Sequence, residues 1–519
     1  MGSIAKVHYG NDNTEHFQSQ LTAFHEQNEH QKKILFVTPE YTGLIKAGGL
    51  GDVSAALPKA LKKRHDVRIL IPGYREILQK NYPMTIIARL EGVARIPTCK
   101  IGRMEMGNGT IIYVVICPEL YDREGSPYGN AQGQDWHDNH IRFARLGLAA
   151  ADMAMGKGHI GWRPDIIHAN DWPSALAPAY IALRNQPTPS IFTIHNLAYQ
   201  GLFNPDCCTD IGLPHNVFCI EQMEFFGQLS FMKAGLVFST SITTVSETYA
   251  REITQPEFGC GLHGLLQAKF NQGLLRGITN GIDESWEAST DPNLVAGFKA
   301  RQWEAKRKNT RHVEALFGLA NSDAPLFAVV SRLAPQKGVD LTLGIADSLV
   351  QAGGRLTVMG TGDPSLESAL VKLARRYPRQ VGVHIGFQET EARRLFAGSD
   401  FLLMPSRFEP CGLSQLYAQR FASLPIATRT GGLIDTIEDG LNGFLFHETT
   451  VASYQSAIQR AMKVYEREDL LNAMRCRAMN SPQFWQESVR PYDLLYRQLD
   501  KFSRQRNFSI TSGGIRVCR

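Results

Sequence analysis

Short apolar runs rich in Val and Ile recur through this chain of 519 residues, and longer amphipathic stretches separate them. Near-continuous apolar runs are typical of parallel strands buried on both faces, whereas the longer stretches have helical spacing. Six runs lie in the first half of the chain, at 33–39, 67–73, 111–118, 164–171, 190–196 and 241–247. This alternation predicts βα units and an α/β fold built on parallel sheets.

The series of strands starts again in the second half. Five further runs, each followed by helical spacing, lie at 326–332, 355–363, 381–387, 401–409 and 424–432. The restart predicts two doubly wound sheets of comparable size. The Gly-rich segment 273–283 lies between them and is predicted to be a hinge, because Gly and Asn are poor interior residues of helices and strands.

Composition is that of a soluble protein with more than one domain. With 43% hydrophobic and 20% charged residues, the chain can bury ample apolar surface, and it is too long for one ordinary core. No apolar run approaches the roughly 18 residues that span a bilayer, and the polar N-terminal segment is unlike a signal peptide. We therefore expect a cytoplasmic protein without a membrane partner.

Charge and cysteine content argue against two other classes. The formal net charge of +5 is small for this length and includes no dense Lys/Arg block, so nucleic-acid binding is not indicated. The nine Cys are odd in number and form no CxxC pair, which disfavours a disulfide framework and a zinc site. A reducing compartment fits this pattern.

Polar residues that close the apolar runs are the first candidates for function, because open parallel sheets bind ligands beyond the carboxyl ends of their strands. In "KILFVTPEYTGLIKAGGLGDV", Lys46, Gly48, Gly49 and Asp52 stand at the mouth of a helix, where N–H groups and a cation can approach a phosphate. Glycines for a tight turn explain this pattern equally well. The segment has neither the P-loop nor the GxGxxG spacing, which disfavours both nucleotide folds.

Two more strand ends carry polar clusters. "SIFTIHN" ends in His195 and Asn196, and "PDIIHANDW" ends in Asn170, Asp171 and Trp172. A lone His at such a position is more often structural than catalytic. Two polar clusters beside an aromatic residue favour sugar recognition, which needs hydroxyl partners and an apolar face.

A pair of basic residues follows the first strand of the second half. Arg332 and Lys337 lie five apart in "VVSRLAPQKGVD", a spacing that suits a clamp for a diphosphate. By itself the pair is better explained as a solvated surface pair.

Taken in order, ten segments resemble the bacterial glycogen synthase and plant starch synthase family of retaining glycosyltransferases. They are "KAGGLGDV", "HANDW", "TIHNLAYQG", "FMKAG", "TTVSETYA", "NGID", "SRLAPQKG", "GTGDP", "PSRFEPCGLSQLYA" and "RTGGL". The resemblance spans roughly residues 32–500. It implies the GT-B fold, in which two Rossmann-like domains face each other across a deep cleft and the last helix returns to the first domain.

Domain limits follow from combining the resemblance with the strand series. We expect an acceptor-side domain at 32–275, a nucleotide-sugar donor domain at 276–488 and a returning helix at 489–503. The amphipathic segment 485–499 is the sequence signal for this helix. The extension 1–31 and the tail 504–519 are predicted to be disordered.

The resemblance also implies the residues of the site. Glu409 would contact the donor sugar, and N–H groups near Gly412 would meet the distal phosphate, which suits a helix N-terminus. The implied catalytic residues are His195, Glu409, Arg332 and Lys337. The implied donor-binding residues are Lys46, Gly48, Gly49, Asn280, Phe387, Cys411, Gly412, Leu413 and Thr430. The implied acceptor-side residues are Asp52, Tyr128, Asn170 and Asp171.

The implied reaction transfers glucose from ADP-glucose to the 4-hydroxyl at the non-reducing end of an α-1,4-glucan such as glycogen, with retention of configuration. No cofactor is expected, and the absence of an Asp-x-Asp pair fits a site without a metal. No second carboxylate offers a covalent nucleophile, so front-face displacement is favoured, with the leaving phosphate accepting the proton of the acceptor.

Three positions depart from the family pattern. Ala47 stands where Thr, Ser or Val is frequent, Asn170 where a second His is common, and Phe387 where Tyr is frequent. Two alternatives stay open: a GT-B enzyme that uses UDP-glucose, of the sucrose or trehalose synthase type, and a non-catalytic glucan-binding relative.

Overall fold

The computed structural model of this protein describes residues 31–80 and 82–510, with the backbone alone for 500–510. A nine-stranded sheet organises the first part of the chain. Its order is β12-β11-β7-β6-β1-β2-β5-β4-β3. The strands of this part, including the small sheet β8-β10-β9, are β1 (Lys33–Val37), β2 (Asp66–Pro72), β3 (Met84–Leu90), β4 (Cys99–Glu105), β5 (Ile111–Ile116), β6 (Ile166–Asn170), β7 (Ser190–Ile194), β8 (Leu202–Phe203), β9 (Glu224–Phe225), β10 (Gln228–Ser230), β11 (Ser241–Thr244) and β12 (Leu275–Gly277).

A six-stranded sheet of order β15-β14-β13-β16-β17-β18 organises the second part, and all of its pairs are parallel. Its strands are β13 (Leu326–Val330), β14 (Arg355–Gly360), β15 (Val381–Ile385), β16 (Phe401–Met404), β17 (Leu424–Thr428) and β18 (Phe444–Phe446). The expectation of comparable sheets is thus wrong in detail. The first sheet is larger because β3 and β4 extend it in antiparallel register, and β3 is mostly exposed or half-buried, unlike a buried parallel strand.

Helices cover both sheets. In chain order they are α1 (Gly49–Leu61), α2 (Arg75–Gln79), α3 (Pro118–Tyr121), α4 (Asn139–Ala154), α5 (Leu176–Leu183), α6 (Cys207–Asp210), α7 (Phe231–Phe238), α8 (Glu247–Glu252), α9 (His263–Asn271), α10 (Trp303–Leu316), α11 (Val339–Gln351), α12 (Pro364–Arg376), α13 (Glu389–Gly398), α14 (Ser414–Arg420), α15 (Gly431–Thr436), α16 (Val451–Tyr465), α17 (Glu468–Asn480) and α18 (Trp485–Ile510). Among these described helices, none has the length and apolar character that crossing a bilayer requires.

Each sheet has its own core. One large cluster surrounds the first sheet and includes the buried face of α18, whereas the second sheet packs a separate cluster against each of its faces. Strands buried on both faces need apolar side chains at every position, which explains the continuous apolar runs of the sequence. The two cores divide the chain into two α/β domains.

The chain crosses between the domains twice, and the two crossings are hydrogen-bonded to each other. The N–H of Ile282 donates to the carbonyl of Gln483 (3.0 Å), and the N–H of Trp485 donates to the carbonyl of Ile282 (3.3 Å). A Cβ on Gly281 would lie 2.5 Å from the Trp485 nitrogen, so this close approach needs glycine. The crossing is therefore a paired structure.

This arrangement corrects the predicted limits. Leu275–Gly277 of the proposed hinge forms an edge strand paired in parallel with β11, so the first sheet passes the predicted boundary at 275 and only 278–283 connect the domains. The returning helix begins at Trp485 and reaches Ile510, so 504–510 are helical rather than disordered. Most of the predicted extension 1–31 lies outside the described residues, as does the end of the tail.

The returning helix α18 is anchored to the first domain by apolar and polar contacts. Val489, Tyr492 and Tyr496 are buried in the first core at helical spacing. The carboxylate of Asp493 accepts from Arg64 Nη1 (2.7 Å) and lies 3.0 Å from His65 Nε2. Burial alone would raise the pKa of Asp493, but hydrogen bonds from the neighbouring arginines lower it overall.

We expect Asp493→Ala to lower the free energy of unfolding by about 2 kcal/mol, because hydrogen bonds to a buried charged group are lost. Since the pKa of Asp493 is depressed in the folded protein, this contribution is present at neutral pH and is lost as the pH falls through the acidic range. Urea denaturation at neutral pH measures the change. Leu494→Ala, at an exposed position of the same helix, is the control, and equal effects of both variants would contradict the anchoring role.

Candidate active site

The carboxyl ends of both sheets carry the polar residues that the sequence singled out. Lys46 and Asp52 follow β1, Asp171 follows β6, and His195 follows β7. In the second domain, the loop after β13 carries Lys337 and the loop after the neighbouring strand β16 carries Glu409. The topology alone thus gathers residues that are far apart in sequence.

The loop after β1 places the ammonium group of Lys46 near the N-terminus of α1. Lys46 Nζ lies 2.7 Å from Asp52 Oδ1, an atom that also accepts from the hydroxyl of Thr42 at 2.9 Å. Asp52 was expected on the acceptor side, and here it pairs with Lys46, a residue expected to bind the donor. The N–H of Gly48 donates to Glu40 Oε2 (2.9 Å), so that amide is already engaged within the first domain.

A hydrogen-bond network fixes His195. The amide nitrogen of Asn170 donates to the carbonyls of Val37 and His168, which leaves Asn170 Oδ1 directed at His195 Nε2 at 3.0 Å. Because an amide oxygen only accepts, Nε2 carries the proton and Nδ1 remains an acceptor. Burial lowers the pKa of His195 to about 3, so the imidazole is neutral at physiological pH.

Asp171 supports the same strand end from an unusual backbone conformation. Its φ is +56°, and its Oδ1 accepts from the backbone N–H groups of His195 (3.0 Å) and Asn196 (3.4 Å). Burial raises the pKa of Asp171 to about 7, opposed by these hydrogen bonds and aided by the nearby charge of Glu40. His168 is structural, since both of its ring nitrogens bond to buried hydroxyls, one of them on α18.

Lys337 and Glu409 form a close ion pair beyond the carboxyl ends of β13 and β16, the central strands of the second sheet. Lys337 Nζ lies 2.5 Å from Glu409 Oε2, which also accepts from the hydroxyl of Ser406 at 3.0 Å. Both side chains are largely buried, 18% and 7% exposed. Burying a lysine and a carboxylate is costly unless they are paired and hydrogen-bonded, and here each is the partner of the other.

The turn before α14 presents backbone N–H groups. Gln415 Nε2 donates to the carbonyls of Cys411 and Gly412, both at 3.0 Å, and α14 begins just after Leu413. Gly412 has φ +71°, and a Cβ there would collide with the amide of Gln415, so the turn requires glycine. In the part of the chain that the structure describes, the N–H groups of Gly412 and Leu413 have no protein acceptor, which suits binding of an anion.

The two domains approach each other closely around this turn. A Cβ on Gly49 would lie 3.8 Å from Leu413 Cδ1, and Arg332 Nη1 donates to the hydroxyl of Tyr199 at 3.2 Å. Glu252 of the first domain accepts from the hydroxyl of Thr430 at 3.1 Å. The loops after β1, β7, β13 and β16 therefore line one cleft.

The remaining expected residues differ in their surroundings. The backbone N–H of Asn280 donates to the thiol of Cys411, and burial raises the pKa of that thiol to about 12. The hydroxyl of Tyr128 donates to Glu40. Phe387, two residues after the end of β15, is 56% exposed.

Sequence reasoning missed three residues of the cleft: Glu40, Tyr199 and Glu252. Glu40 and Tyr199 lie inside quoted segments, but an acidic or aromatic loop residue carries no periodic signal. Their contacts join residues distant in sequence, such as Glu252 and Thr430, and only the fold reveals them.

Comparisons with known proteins agree with this geometry. The sequence profile described as "Starch synthase catalytic domain" matches residues 33–268, and that of "Glycosyl transferases group 1" matches 317–477. A glycogen synthase of Pseudomonas putida is 59% identical over 476 residues, which cover 92% of each chain. One from Pseudomonas aeruginosa is 60% identical over 485 residues, 92% of this chain and 94% of the relative.

This chain belongs to the glycogen synthase family. The resemblance inferred from the ten motifs is confirmed, and membership makes the protein a glucosyltransferase. The catalytic domain of starch synthase IV from Arabidopsis thaliana, solved with ADP and acarbose, superposes with a TM-score of 0.81 at 29% identity, over 91% of this chain and 100% of that one.

More distant structures share the fold alone. A sucrose-phosphate synthase from Thermosynechococcus elongatus has a TM-score of 0.56 at 15% identity, over 90% of this glycogen synthase family member and 99% of that chain. The expected GT-B fold is confirmed by the neighbours and by the two α/β domains.

The raised pKa of Asp171 predicts a pH-dependent penalty on stability. Its folded pKa, about 7, lies above its unfolded value, so the unfolded state releases the proton first and the fold loses stability as pH rises from about 4 to 7. Asp171→Asn removes the charge. We expect the free energy of unfolding of Asp171→Asn, relative to the wild type, to be higher at pH 8 than at pH 5 by on the order of 3 kcal/mol.

Thermal denaturation at the two pH values measures this difference. Asp165→Asn, at the other end of the β6 segment, is the control, because Asp165 accepts from the N–H of Lys33 at an exposed position. An Asp171→Asn effect that is equal at both pH values would show that Asp171 does not titrate near neutrality.

Proposed function

We propose that this protein transfers glucose from ADP-glucose to the 4-hydroxyl at the non-reducing end of an α-1,4-glucan, with retention of the anomeric configuration. The observation that carries the proposal is the Lys337–Glu409 pair, which faces the cleft beside the N–H groups of Gly412 and Leu413. A cation and two amides suit a leaving diphosphate, while a carboxylate suits the hydroxyl groups of the transferred sugar.

The charge that develops on ADP would be met by protein groups. Lys337 and Arg332 belong to the donor domain, and Lys46 adds a cation from the acceptor domain. In the structure Lys46 and Lys337 are each paired with a carboxylate, Asp52 and Glu409. Binding of the diphosphate would share these cations between carboxylate and phosphate, which keeps their charge fixed in place before the reaction begins.

The acceptor would enter from the first domain. Neutral His195 offers Nδ1 as an acceptor beside the transferred glucose, and Asp171 lies behind it on the acceptor side. The leaving phosphate itself would accept the proton of the 4-hydroxyl in a front-face displacement.

Three relatives support the proposal by what their descriptions say. The Pseudomonas proteins are described as glycogen synthases, and the Arabidopsis starch synthase IV domain is described as bound to ADP and acarbose. An adenine nucleotide and an oligosaccharide analogue are therefore ligands of a domain with this fold at 29% identity.

Lys337→Ala and Glu409→Ala should each reduce kcat at least about tenfold, and about a hundredfold if the full interaction with the transition state is lost. Initial rates with ADP-glucose and glycogen measure the loss, and circular dichroism verifies the fold. Lys372→Ala removes an exposed lysine of α12 and serves as the control. Near-normal turnover of either folded site variant would remove that residue from the proposed machinery.

Activity should survive treatment with EDTA, because the proposed clamp uses side-chain cations and amides where other enzymes use a divalent ion. Rates before and after chelation, at matched ionic strength, test this expectation. If chelation abolished activity and magnesium or manganese restored it, the proposed metal-free clamp would be wrong.

The wild type should use ADP-glucose more efficiently than UDP-glucose, because the exposed ring of Phe387 offers more stacking area to a purine than to uracil. Phe387→Ala should weaken use of ADP-glucose more than of UDP-glucose, by about 1 kcal/mol, whereas Phe387→Tyr keeps the ring.

The assay compares kcat/KM for both donors with glycogen as acceptor, and NMR of the extended glucan reports the anomeric configuration of the new link. A β-link, or a wild-type preference for UDP-glucose, would overturn the proposed reaction. An equal loss for both donors in Phe387→Ala would overturn only the stacking role.

A further inference from the structure

Glu40 is a buried carboxylate that none of the motifs assigns to a role. It follows β1, and the residue is 3% exposed. Its Oε2 accepts from the backbone N–H groups of Ala47 (2.7 Å) and Gly48 (2.9 Å), and its Oε1 accepts from the hydroxyl of Tyr128. Three neutral donors thus satisfy a charge that would otherwise be costly to bury.

The base of Glu40 is fixed by the first sheet. The hydroxyl of Thr38 donates to the carbonyl of Glu40 (3.0 Å) and lies 2.8 Å from the hydroxyl of Ser54 on α1. Tyr41 and Ile45 exchange two backbone hydrogen bonds, which close the intervening loop and bring Glu40 next to the donor loop. The carboxylate therefore extends from a rigid support.

The N–H groups of two successive residues, Ala47 and Gly48, donate to one oxygen, which restricts the conformation of loop 46–49. The orientation of the Ala47 and Gly48 amides is set by Glu40, and with it the positions of Lys46 on one side and Gly49 on the other. Gly49 is the residue that approaches Leu413 across the cleft. Because the Ala47 and Gly48 amides are engaged, the loop offers a diphosphate mainly the Lys46 ammonium group and the start of α1.

We propose that Glu40, itself held by Tyr128, is a positioning residue that holds loop 46–49 in its donor-binding conformation. The proposal rests on the proposed function, because it assigns loop 46–49 to the nucleotide-sugar donor. Its physical basis is geometry: the acceptor oxygen must lie at the right distance from both amides. If the loop is already ordered, binding of the donor loses less conformational entropy and is therefore tighter.

Two substitutions test this role, because one keeps the length of the side chain and the other keeps its charge. Glu40→Gln keeps an oxygen at the same reach for both amides, and its NH2 group can donate to the oxygen of Tyr128. Glu40→Asp keeps the charge but is one methylene shorter. We expect Glu40→Gln to bind ADP within about threefold of the wild type, and Glu40→Asp and Glu40→Ala to bind it about tenfold more weakly or worse.

Calorimetry with ADP gives Kd, and steady-state kinetics gives KM for ADP-glucose and for glycogen. In Glu40→Asp, the KM for ADP-glucose should rise about tenfold while the KM for glycogen changes less than about threefold. Glu76→Ala, a half-buried carboxylate on α2, is the control. If Glu40→Ala fails to fold, the comparison of Gln with Asp decides the matter.

The reverse order, with Asp close to the wild type and Gln impaired, would show that charge matters rather than reach and would overturn the proposal. Unchanged ADP affinity in all variants, equal weakening in Gln and Asp, or equal weakening in Glu76→Ala would overturn it too. Failure of the wild type to transfer glucose would overturn the proposed function instead, because the ADP affinities test the role of Glu40 without any turnover.

Discussion

The pairing of Lys337 with Glu409 is the interaction on which the site depends. The lysine and the carboxylate lie 2.5 Å apart and are both largely buried, so each offsets the cost of burying the other. The pair forms where β13 and β16 lie side by side, so two loops that are distant in sequence deliver the two partners. In the proposed reaction the same lysine faces the diphosphate and the same carboxylate faces the sugar.

The rest of the fold brings a second set of site residues, those of the first domain, to the cleft that contains this pair. Two hydrogen-bonded crossings join the domains near Ile282 and Trp485, and α18 returns to the first core through Asp493 and Tyr496. This double attachment brings the loop after β1 to the turn at Leu413. The first domain then contributes Lys46 and neutral His195, whose protonation is fixed by burial and by Asn170. Placement and charge state are thus both properties of the scaffold.

The sequence predicted the buried strands and the residues at their ends, because parallel strands leave continuous apolar runs and ligands gather at their carboxyl ends. It failed where local signals are weak or misleading. The exposed strand β3 has only a short apolar run at 86–88. Leu275–Gly277 looks like a hinge but pairs with β11, and 504–510 look polar but continue α18. Among site residues, Glu40 and Glu252 escaped notice because their partners are set by tertiary contacts.

A crystal structure with ADP bound would test the central claim most directly, namely that side-chain cations and amides from both domains hold the leaving diphosphate. The account predicts the distal phosphate within hydrogen-bonding distance of Lys337 and the N–H groups of Gly412 and Leu413, with Lys46 facing it from the first domain and adenine against Phe387. A phosphate bound away from Lys337 and the turn at Gly412, or held by a metal ion between carboxylates, would contradict it.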